Sequence, residues 1–430
     1  MTLIKSISGI RGTIGGLQSE NLTPIDAVKY AAAYGSWVKQ QRNKETYKVV
    51  VGRDARISGE MIQQLVMNTL VGMGITVIDL NLSTTPTVEV AVALEHADGG
   101  IVLTASHNPK QWNALKLLNN KGEFLNAESG QQILNIAENG NIEFAEVDNL
   151  GEIHKNDAYI DLHIDEILNL PLVKVDAIKR SKFKVVVDAV NSTGGIAVPL
   201  LLEALGVEPV KLHCTPNGQF PHNPEPLKEH LGDLMDSVVK NHADFGIVVD
   251  PDVDRLAFVD EKGEMFGEEY TLVVVADYVL QNNPGVELMK ETNAVIGGEG
   301  NGGIIYPELH YGRDSLVGIA LFLSFLAEEK ITVSELRKKY TAYFMSKKKI
   351  ELTPQLDVDA ILKAMEAKYA AEEINTIDGV KIDFPENWVH LRKSNTEPII
   401  RIYTEAKSQE EADALADMII GEIKAVAELY

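Results

Sequence analysis

Short β-branched runs recur along this chain, and each empties into a loop of small or polar residues. Residues 48–51 lead into Gly52-Arg53-Asp54, residues 100–103 into Thr104-Ala105-Ser106-His107, and residues 183–187 into Asp188-Ala189-Val190-Asn191-Ser192-Thr193-Gly194-Gly195. Downstream, 246–249 precede Asp250-Pro251-Asp252, and 293–296 precede Gly297-Gly298-Glu299. Amphipathic stretches at 24–41, 59–72 and 199–205 lie between them. This alternation specifies α/β domains with largely parallel sheets. Such sheets bind ligands at the carboxyl ends of their strands, which is where the polar loops fall. The last part reads as α+β: strands at 380–384, 388–391 and 399–404, then a closing helix over 408–429.

The expected segmentation is 1–157, 158–268, 269–346 and 347–430, the last junction marked by Lys347-Lys348-Lys349 and Pro354. The third segment is about thirty residues short for an α/β unit, because Asn282-Asn283-Pro284-Gly285 runs almost directly to Glu287-Leu288-Met289 and the glycines. An omitted stretch is the expectation; a true loss would leave that domain short of sheet partners. The repeated strand-to-loop units suggest duplicated domains, with no residue-level repeat evident.

Charge and composition exclude several functions. The net charge of −23, from 40 basic and 63 acidic residues, argues against a nucleic-acid partner. An anionic ligand must then be held by local positive charge or backbone donors. The one cysteine, Cys214, can form no internal disulfide, which agrees with a reducing compartment. Beside His213 it is weighed as a nucleophile, and a buried structural thiol is expected. No long apolar run or signal-peptide layout occurs, so a cytoplasmic protein without a membrane partner is expected.

Asp250, Asp252 and Asp254 alternate directly after a strand. In an extended segment they would project to one side and repel one another unless a cation lay between them. Hard oxygen donors favour Mg²⁺. A Ca²⁺ loop of the EF-hand type fails, because Arg255 stands where glycine is required. A solvated acidic turn is the alternative. Ser106, at the end of an apolar strand, is placed to expose a hydroxyl nucleophile, although serine in a turn is common. Lys116 is a candidate for proton transfer or charge stabilisation, against the reading of a surface lysine. The run Gly297–Gly303 contains Gly-x-Gly-x-x-Gly, but no clean helix opens there and Glu299 would repel a pyrophosphate. It is read as a flexible loop presenting Glu299 and Asn301 to sugar hydroxyls. Arg392, Lys393, Ser394, Asn395, Thr396 and Arg401 gather cations and hydroxyls suited to a phosphate.

In this order the segments resemble the α-D-phosphohexomutase superfamily, from Ser8-Gly9-Ile10-Arg11-Gly12 to Arg401-Ile402-Tyr403. The resemblance implies three related α/β domains with mixed sheets plus a C-terminal α+β domain around a central cleft. By the same resemblance Ser106 is the phosphorylated serine, accompanied by His107. Asp250, Asp252 and Asp254 bind Mg²⁺, which a phosphoserine oxygen completes, and Arg255 closes that loop. Lys116 and Arg11 serve proton transfer or charge stabilisation. Glu299 and Asn301 belong to the sugar loop, and Arg392, Ser394, Asn395, Thr396 and Arg401 to the phosphate loop.

The implied reaction passes a phosphoryl group from Ser106 to a hexose monophosphate, giving a hexose 1,6-bisphosphate that also serves as activator. Glucosamine 6-phosphate and 1-phosphate are the expected pair, with mannose and glucose phosphates as the alternative. A sugar-phosphate-binding protein without turnover is the non-catalytic alternative, and a monomer or homodimer is expected. Two departures bear on geometry: Asn395 and Ala114 stand where the family has glycine, so both turns are expected to differ in backbone conformation.

Overall fold

The computed structural model describes residues 2–6, 9–42, 44–282, 294–351, 357–393 and 399–427. The chain divides into two compact units, Met1–Arg337 and Lys338–Tyr430.

The larger unit begins with a seven-stranded sheet of β1 (Ile4–Ser6), β2 (Gly9–Thr13), β3 (Tyr47–Arg53), β4 (Ile75–Leu82), β5 (Gly99–Leu103), β6 (Trp112–Leu118) and β7 (Ile153–Lys155), in the order β1-β2-β6-β5-β3-β4-β7. Strands β5, β3, β4 and β7 run parallel, while β6, β2 and β1 are added antiparallel. Helices α1 (Pro24–Gln41), α2 (Gly59–Gly72), α3 (Thr85–Leu94) and α4 (Ala127–Asn139) cover it. Val49 and Val51 belong to the core formed with α1 and α2, whereas Val50 packs with Val88 and Ala91 of α3. Successive strand residues thus bury on opposite faces, giving three layers. The expected helices 24–41 and 59–72 form with those bounds. Thr23 caps α1 in a capping box with Asp26, and Pro24 opens the first turn, where its missing N–H costs nothing.

The chain continues through α5 (Tyr159–Leu168) and α6 (Val175–Ser181) into a second sheet. Its strands are β8 (Lys184–Asp188), β9 (Glu208–Leu212), β10 (Phe245–Val249) and β11 (Leu256–Val259), ordered β11-β10-β8-β9, with α7 (Gly194–Ala204) and α8 (Gly232–Lys240). Here too the parallel strands end in an antiparallel edge, β11 on β10.

That shared plan exposes a repeat the sequence reading missed. β6 is followed by Asn119-Asn120-Lys121-Gly122-Glu123-Phe124, and β11 by Asp260-Glu261-Lys262-Gly263-Glu264-Met265. Asn119 Oδ1 accepts from the N–H groups of Lys121 and Glu123, and Asp260 Oδ1 from those of Lys262 and Glu264. Both turns place glycine at positive φ, +78° and +81°, where a side chain would be strained.

The third segment holds α9 (Glu268–Asn282), the hairpin β12 (Gly297–Glu299) and β13 (Gly303–Ile305), α10 (Ser315–Glu329) and α11 (Val333–Arg337). The strand expected at 293–296 is displaced: residues 294–296 precede β12, Asn293 lies outside the described residues, and the glycines themselves pair with β13.

The smaller unit is an antiparallel sheet of β14 (Phe344–Glu351), β15 (Glu373–Asn375), β16 (Val380–Asp383), β17 (Trp388–Lys393) and β18 (Ile399–Ala406), ordered β14-β18-β17-β16-β15. Helices α12 (Val358–Lys368) and α13 (Gln409–Ala427) pack over Ile382, Leu391, Ile400 and Ile402. Lys347, Lys348 and Lys349 lie inside β14.

Candidate active site

Ser106 follows the fully buried β5 and sits at φ +47°, a left-handed conformation uncommon for a residue with a side chain. Thr104 Oγ1 holds the bend, donating to Asp54 Oδ2 at 2.7 Å and accepting from Ser106 N–H at 3.0 Å. Arg56, which the sequence reading did not single out, fixes the rest. Its side chain is buried, with Nε on Asp54 Oδ2 at 3.0 Å. Its terminal nitrogens donate to the carbonyls of Ser106, Asn108, Pro109 and Trp112 at 2.5–3.1 Å. One guanidinium therefore satisfies backbone carbonyls of a loop that makes few bonds within itself.

The three aspartates converge through a turn rather than through the extended segment expected. Val253, fully buried at φ +65°, reverses the chain, and Asp250 Oδ1 accepts from the N–H groups of Asp254 and Arg255 at 3.0 Å each. One oxygen from each of Asp250, Asp252 and Asp254 lies within 4.8 Å of the others. Ser106 Oγ donates to Asp250 Oδ2 at 2.6 Å. Lys116 Nζ reaches Asp252 Oδ2 at 2.6 Å and Asp254 Oδ2 at 3.4 Å, and Thr85 Oγ1 donates to Asp252 Oδ2 at 2.5 Å.

Asp252 Oδ1 and Asp254 Oδ1 are buried and have no hydrogen-bond partner. Buried carboxylate oxygens without a donor are costly. Hard, converging oxygens of this kind fit a divalent cation such as Mg²⁺.

The local charges are far from their ordinary balance. Burial, then Asp254 and Asp252, push the Asp250 carboxyl well above its usual range. Burial pushes Asp254 the same way, but Lys116, Arg313 and Arg255 outweigh it and hold that carboxylate below the usual range. Lys116 is likewise held above its ordinary value by Asp252 and Asp254 despite burial.

Other expected residues gather here. His107 Nδ1 lies 3.4 Å from Ser106 Oγ, and burial together with Arg255 lowers its pKa. Arg11, on β2, donates to Asn108 Oδ1 at 3.3 Å. Ala114 pairs with Arg11 inside β6, so that departure falls in a strand and not in a turn. Arg255 donates to Glu225 Oε1 at 3.0 Å.

Glu299 and Asn301 occupy the tip of the β12–β13 hairpin, which is paired structure where a flexible loop was expected. Asn301 Nδ2 donates to Glu299 Oε2 at 2.9 Å. Gly302, at φ +78°, packs so closely that a Cβ would come within 1.8 Å of the Leu256 carbonyl. Arg313, also missed, bridges Asp254 and Glu299. Arg11, Ser106, His107, Lys116, Arg255, Glu299 and Arg313 line one cavity of about 450 Å³.

In the smaller unit Arg392 and Arg401 are cross-strand partners on β17 and β18, and Arg392 pairs with Asp378 at 2.6 Å. Ser394, Asn395 and Thr396 lie outside the described residues. Cys214 Sγ contacts the carbonyls of Val187 and Leu212, and burial pushes its thiol up to about 12. It is no thiolate at neutral pH. Among the described residues, no helix is long and apolar enough to cross a membrane.

Comparison with known proteins matches four consecutive segments to phosphoglucomutase/phosphomannomutase domains. Residues 4–143, 161–263 and 285–343 correspond to alpha/beta/alpha domains I, II and III, and 346–422 to the C-terminal domain. A phosphoglucomutase/phosphomannomutase of Thermococcus kodakarensis is 36% identical, spanning 93% of this chain and 95% of that protein. A probable phosphoglucosamine mutase of Methanopyrus kandleri is 31% identical over 98% of both. Among solved structures, a phosphoglucomutase/phosphomannomutase family protein of Burkholderia thailandensis superposes with a TM-score of 0.82 at 25% identity, covering 99% of this chain and 98% of that one.

Proposed function

We propose, from the premise that the chain belongs to the phosphoglucomutase/phosphomannomutase family and is a phosphohexomutase, an isomerase that transfers phosphate within a sugar, that Ser106 carries the phosphoryl group it transfers. One observation carries this reading. Ser106 Oγ hydrogen-bonds Asp250 at 2.6 Å, beside two buried carboxylate oxygens that lack donors, on a cavity lined by cations.

Asp250, Asp252 and Asp254, with an oxygen of phosphorylated Ser106, would hold Mg²⁺, whose charge offsets that of the phosphoryl group. In the first half-reaction the bond between phosphorus and Ser106 Oγ breaks as a sugar hydroxyl oxygen bonds to phosphorus. The hydroxyl proton ends, net, on Oγ. The second half-reaction returns the other phosphoryl group of the hexose 1,6-bisphosphate to Ser106. Lys116 and Arg11 supply positive charge along the path, Arg255 steadies the metal loop, and His107 orients Ser106. Preorganised charge of this kind is most of what phosphoryl transfer requires. Glu299 and Asn301 accept and donate to sugar hydroxyls, and Arg392, Ser394, Asn395, Thr396 and Arg401 serve as phosphate-binding residues of the smaller unit.

The sugar proposed is glucosamine phosphate, supported by the name of the Methanopyrus relative. A second reading, glucose or mannose phosphate, is favoured by the Arg313 guanidinium on Glu299, which reduces the local negative charge that would attract an amino group, and by the Thermococcus relative. Turnover with glucosamine 6-phosphate, glucose 1-phosphate and mannose 1-phosphate, each with Mg²⁺ and hexose bisphosphate, separates them. The reading predicts highest kcat/KM for the glucosamine phosphate. Preference for a neutral hexose establishes the second reading, and no turnover with any of them overturns both.

A further inference from the structure

Arg313 stands between two loops whose roles have so far been separate. One of its terminal nitrogens donates to Asp254 Oδ2 at 2.5 Å and the other to Glu299 Oε2 at 2.6 Å. A single rigid fork thus spans the metal loop and the tip of the sugar hairpin.

This is no loose surface pair. The Arg313 stem lies on Gly303, where a Cβ would fall 2.5 Å from its Cδ. Asp314, the next residue, caps α10 and meets His163 at 3.0 Å and His310 at 3.3 Å. Gly312, the residue before, packs so tightly that a Cβ would come within 1.6 Å of Glu89 Oε2. The backbone is therefore anchored on both sides of Arg313, and its side chain is only 20% exposed. An exposed ion pair must order two flexible side chains to form; here the fold has already ordered one of them.

The fork also divides the labour of Asp254. Oδ2 is taken by Arg313 and Lys116, while Oδ1 is buried without a partner. Oδ1 is thus the oxygen left for a cation, while Arg313 and the cation compete for the charge of the same carboxylate.

We propose that Arg313 is a positioning residue that couples the two loops, so that a divalent cation at the aspartates and a hexose phosphate at Glu299 each tighten the binding of the other. The inference rests on the reading of the site given above. Its physical basis is competition for one guanidinium. A cation on Asp254 weakens the Arg313–Asp254 contact and leaves the guanidinium more fully to Glu299, fixing that carboxylate for the sugar. A sugar that settles Glu299 draws the guanidinium the same way and relieves Asp254 of a competing positive charge. Such coupling is reciprocal.

The test measures the Mn²⁺ dissociation constant from the electron paramagnetic resonance of free Mn²⁺, with and without glucosamine 6-phosphate and, separately, glucose 1-phosphate, correcting for Mn²⁺ bound by the sugar phosphate in protein-free solution. It uses the full chain as wild type, Arg313→Lys, Arg313→Gln and Asp252→Asn, with kcat and KM measured alongside. In the wild type the sugar phosphate is expected to tighten Mn²⁺ by about tenfold. In Arg313→Gln the ratio falls to within about twofold of unity, and KM rises more than kcat falls. Arg313→Lys, which keeps the charge without the fork, falls between. Equal tightening in the wild type and both Arg313 variants overturns the coupling while leaving the metal site standing. Mn²⁺ binding that is unchanged by Asp252→Asn overturns the metal reading and the coupling together.

Discussion

Among the described residues of the larger unit, two buried clusters rich in carboxylates, one around Ser106 and one around Asp314, differ in what faces their unsatisfied oxygens. At the Ser106 centre, Asp252 and Asp254 each keep an oxygen with no donor, and the residues around them open on the cavity. In the second cluster each carboxylate faces an imidazole. His163 lies between Thr87 Oγ1 and Asp314 Oδ2 at 3.0 Å each, and His310 lies 3.3 Å from the same Asp314 oxygen. Glu89 Oε2 stands 3.2 Å from His310 Nδ1 as an ion pair, and neither Glu89 carboxylate oxygen has a hydrogen-bond partner.

The second cluster joins α3, α5 and the N-terminus of α10; both Asp314 oxygens are hydrogen-bonded there, and Glu89, whose oxygens lack hydrogen bonds, is offset in charge by the adjacent His310. The first opens on a cavity, and its two unpartnered Oδ1 atoms are the ones a cation would use. Buried charge that is paired within the fold serves structure, and buried charge left partly unpaired beside a cavity serves chemistry.

Substitution should separate the two. Asp252→Asn is expected to lower turnover by at least about a hundredfold, because a metal ligand is weakened. Chemical unfolding without metal should shift by no more than about 1 kcal/mol, since a mutual repulsion is lost with the charge and Lys116 keeps Asp254. Steady-state kinetics and urea titration of the same variant check both. A large loss of stability would make the centre structural.

His163→Leu should do the reverse. It takes one partner from Asp314 and one from Thr87 Oγ1, which keeps Thr84 Oγ1 at 2.7 Å, costing about 3 kcal/mol of stability, while Mn²⁺ affinity stays within about twofold of wild type.

The third and smallest effect is a pH dependence. Despite burial, Asp314 and Glu89 raise His310 to about 9, above its unfolded value near 6.5. Its stabilisation is therefore complete below about pH 6.5 and is lost as pH rises through about 9. Of the neighbouring carboxylates, Glu89 agrees in sign and Asp314 does not titrate here. Burial raises Glu89, opposing ionisation at high pH, whereas Asp314 is depressed and fully ionised across this window. Urea unfolding should weaken by an amount on the order of 2 kcal/mol between pH 6.5 and 9.5, and His310→Gln should flatten most of that slope. An equal slope in the variant would place the titration elsewhere.

What the sequence made legible was local. Ser106 and the three aspartates follow apolar strands whose pattern is visible in a few consecutive residues, and α1 announces itself through Thr23, Pro24 and Asp26. What it hid depends on distant partners. Arg56 looks like any surface arginine until four loop carbonyls converge on it, although Asp54-Ala55-Arg56 after β3 offered a weak signal of local pairing. Arg313 gains meaning only when Asp254 and Glu299 are brought to it from 59 and 14 residues away.

The displaced strand at β12 has a similar cause. The apolar run before the glycines has no sheet to join among the described residues, and the glycines pair with β13 because they can approach it closely. The turns at 119–124 and 260–265 share Lys-Gly-Glu, a match too short to mark a repeat by itself; the side-chain caps and positive-φ glycines at equivalent places make it one.

The most direct test of the account is the fate of the phosphoryl group at Ser106. The purified chain would be incubated with glucose 1,6-bisphosphate and Mg²⁺, its intact mass and peptide map recorded, and the phosphorylated protein then chased with the hexose monophosphate that turns over. The account predicts one phosphoryl group on the Ser106 peptide, its passage to the sugar on chase, and neither event in Ser106→Ala. Sustained turnover by Ser106→Ala, or an active wild type that never carries phosphate on Ser106, would contradict it.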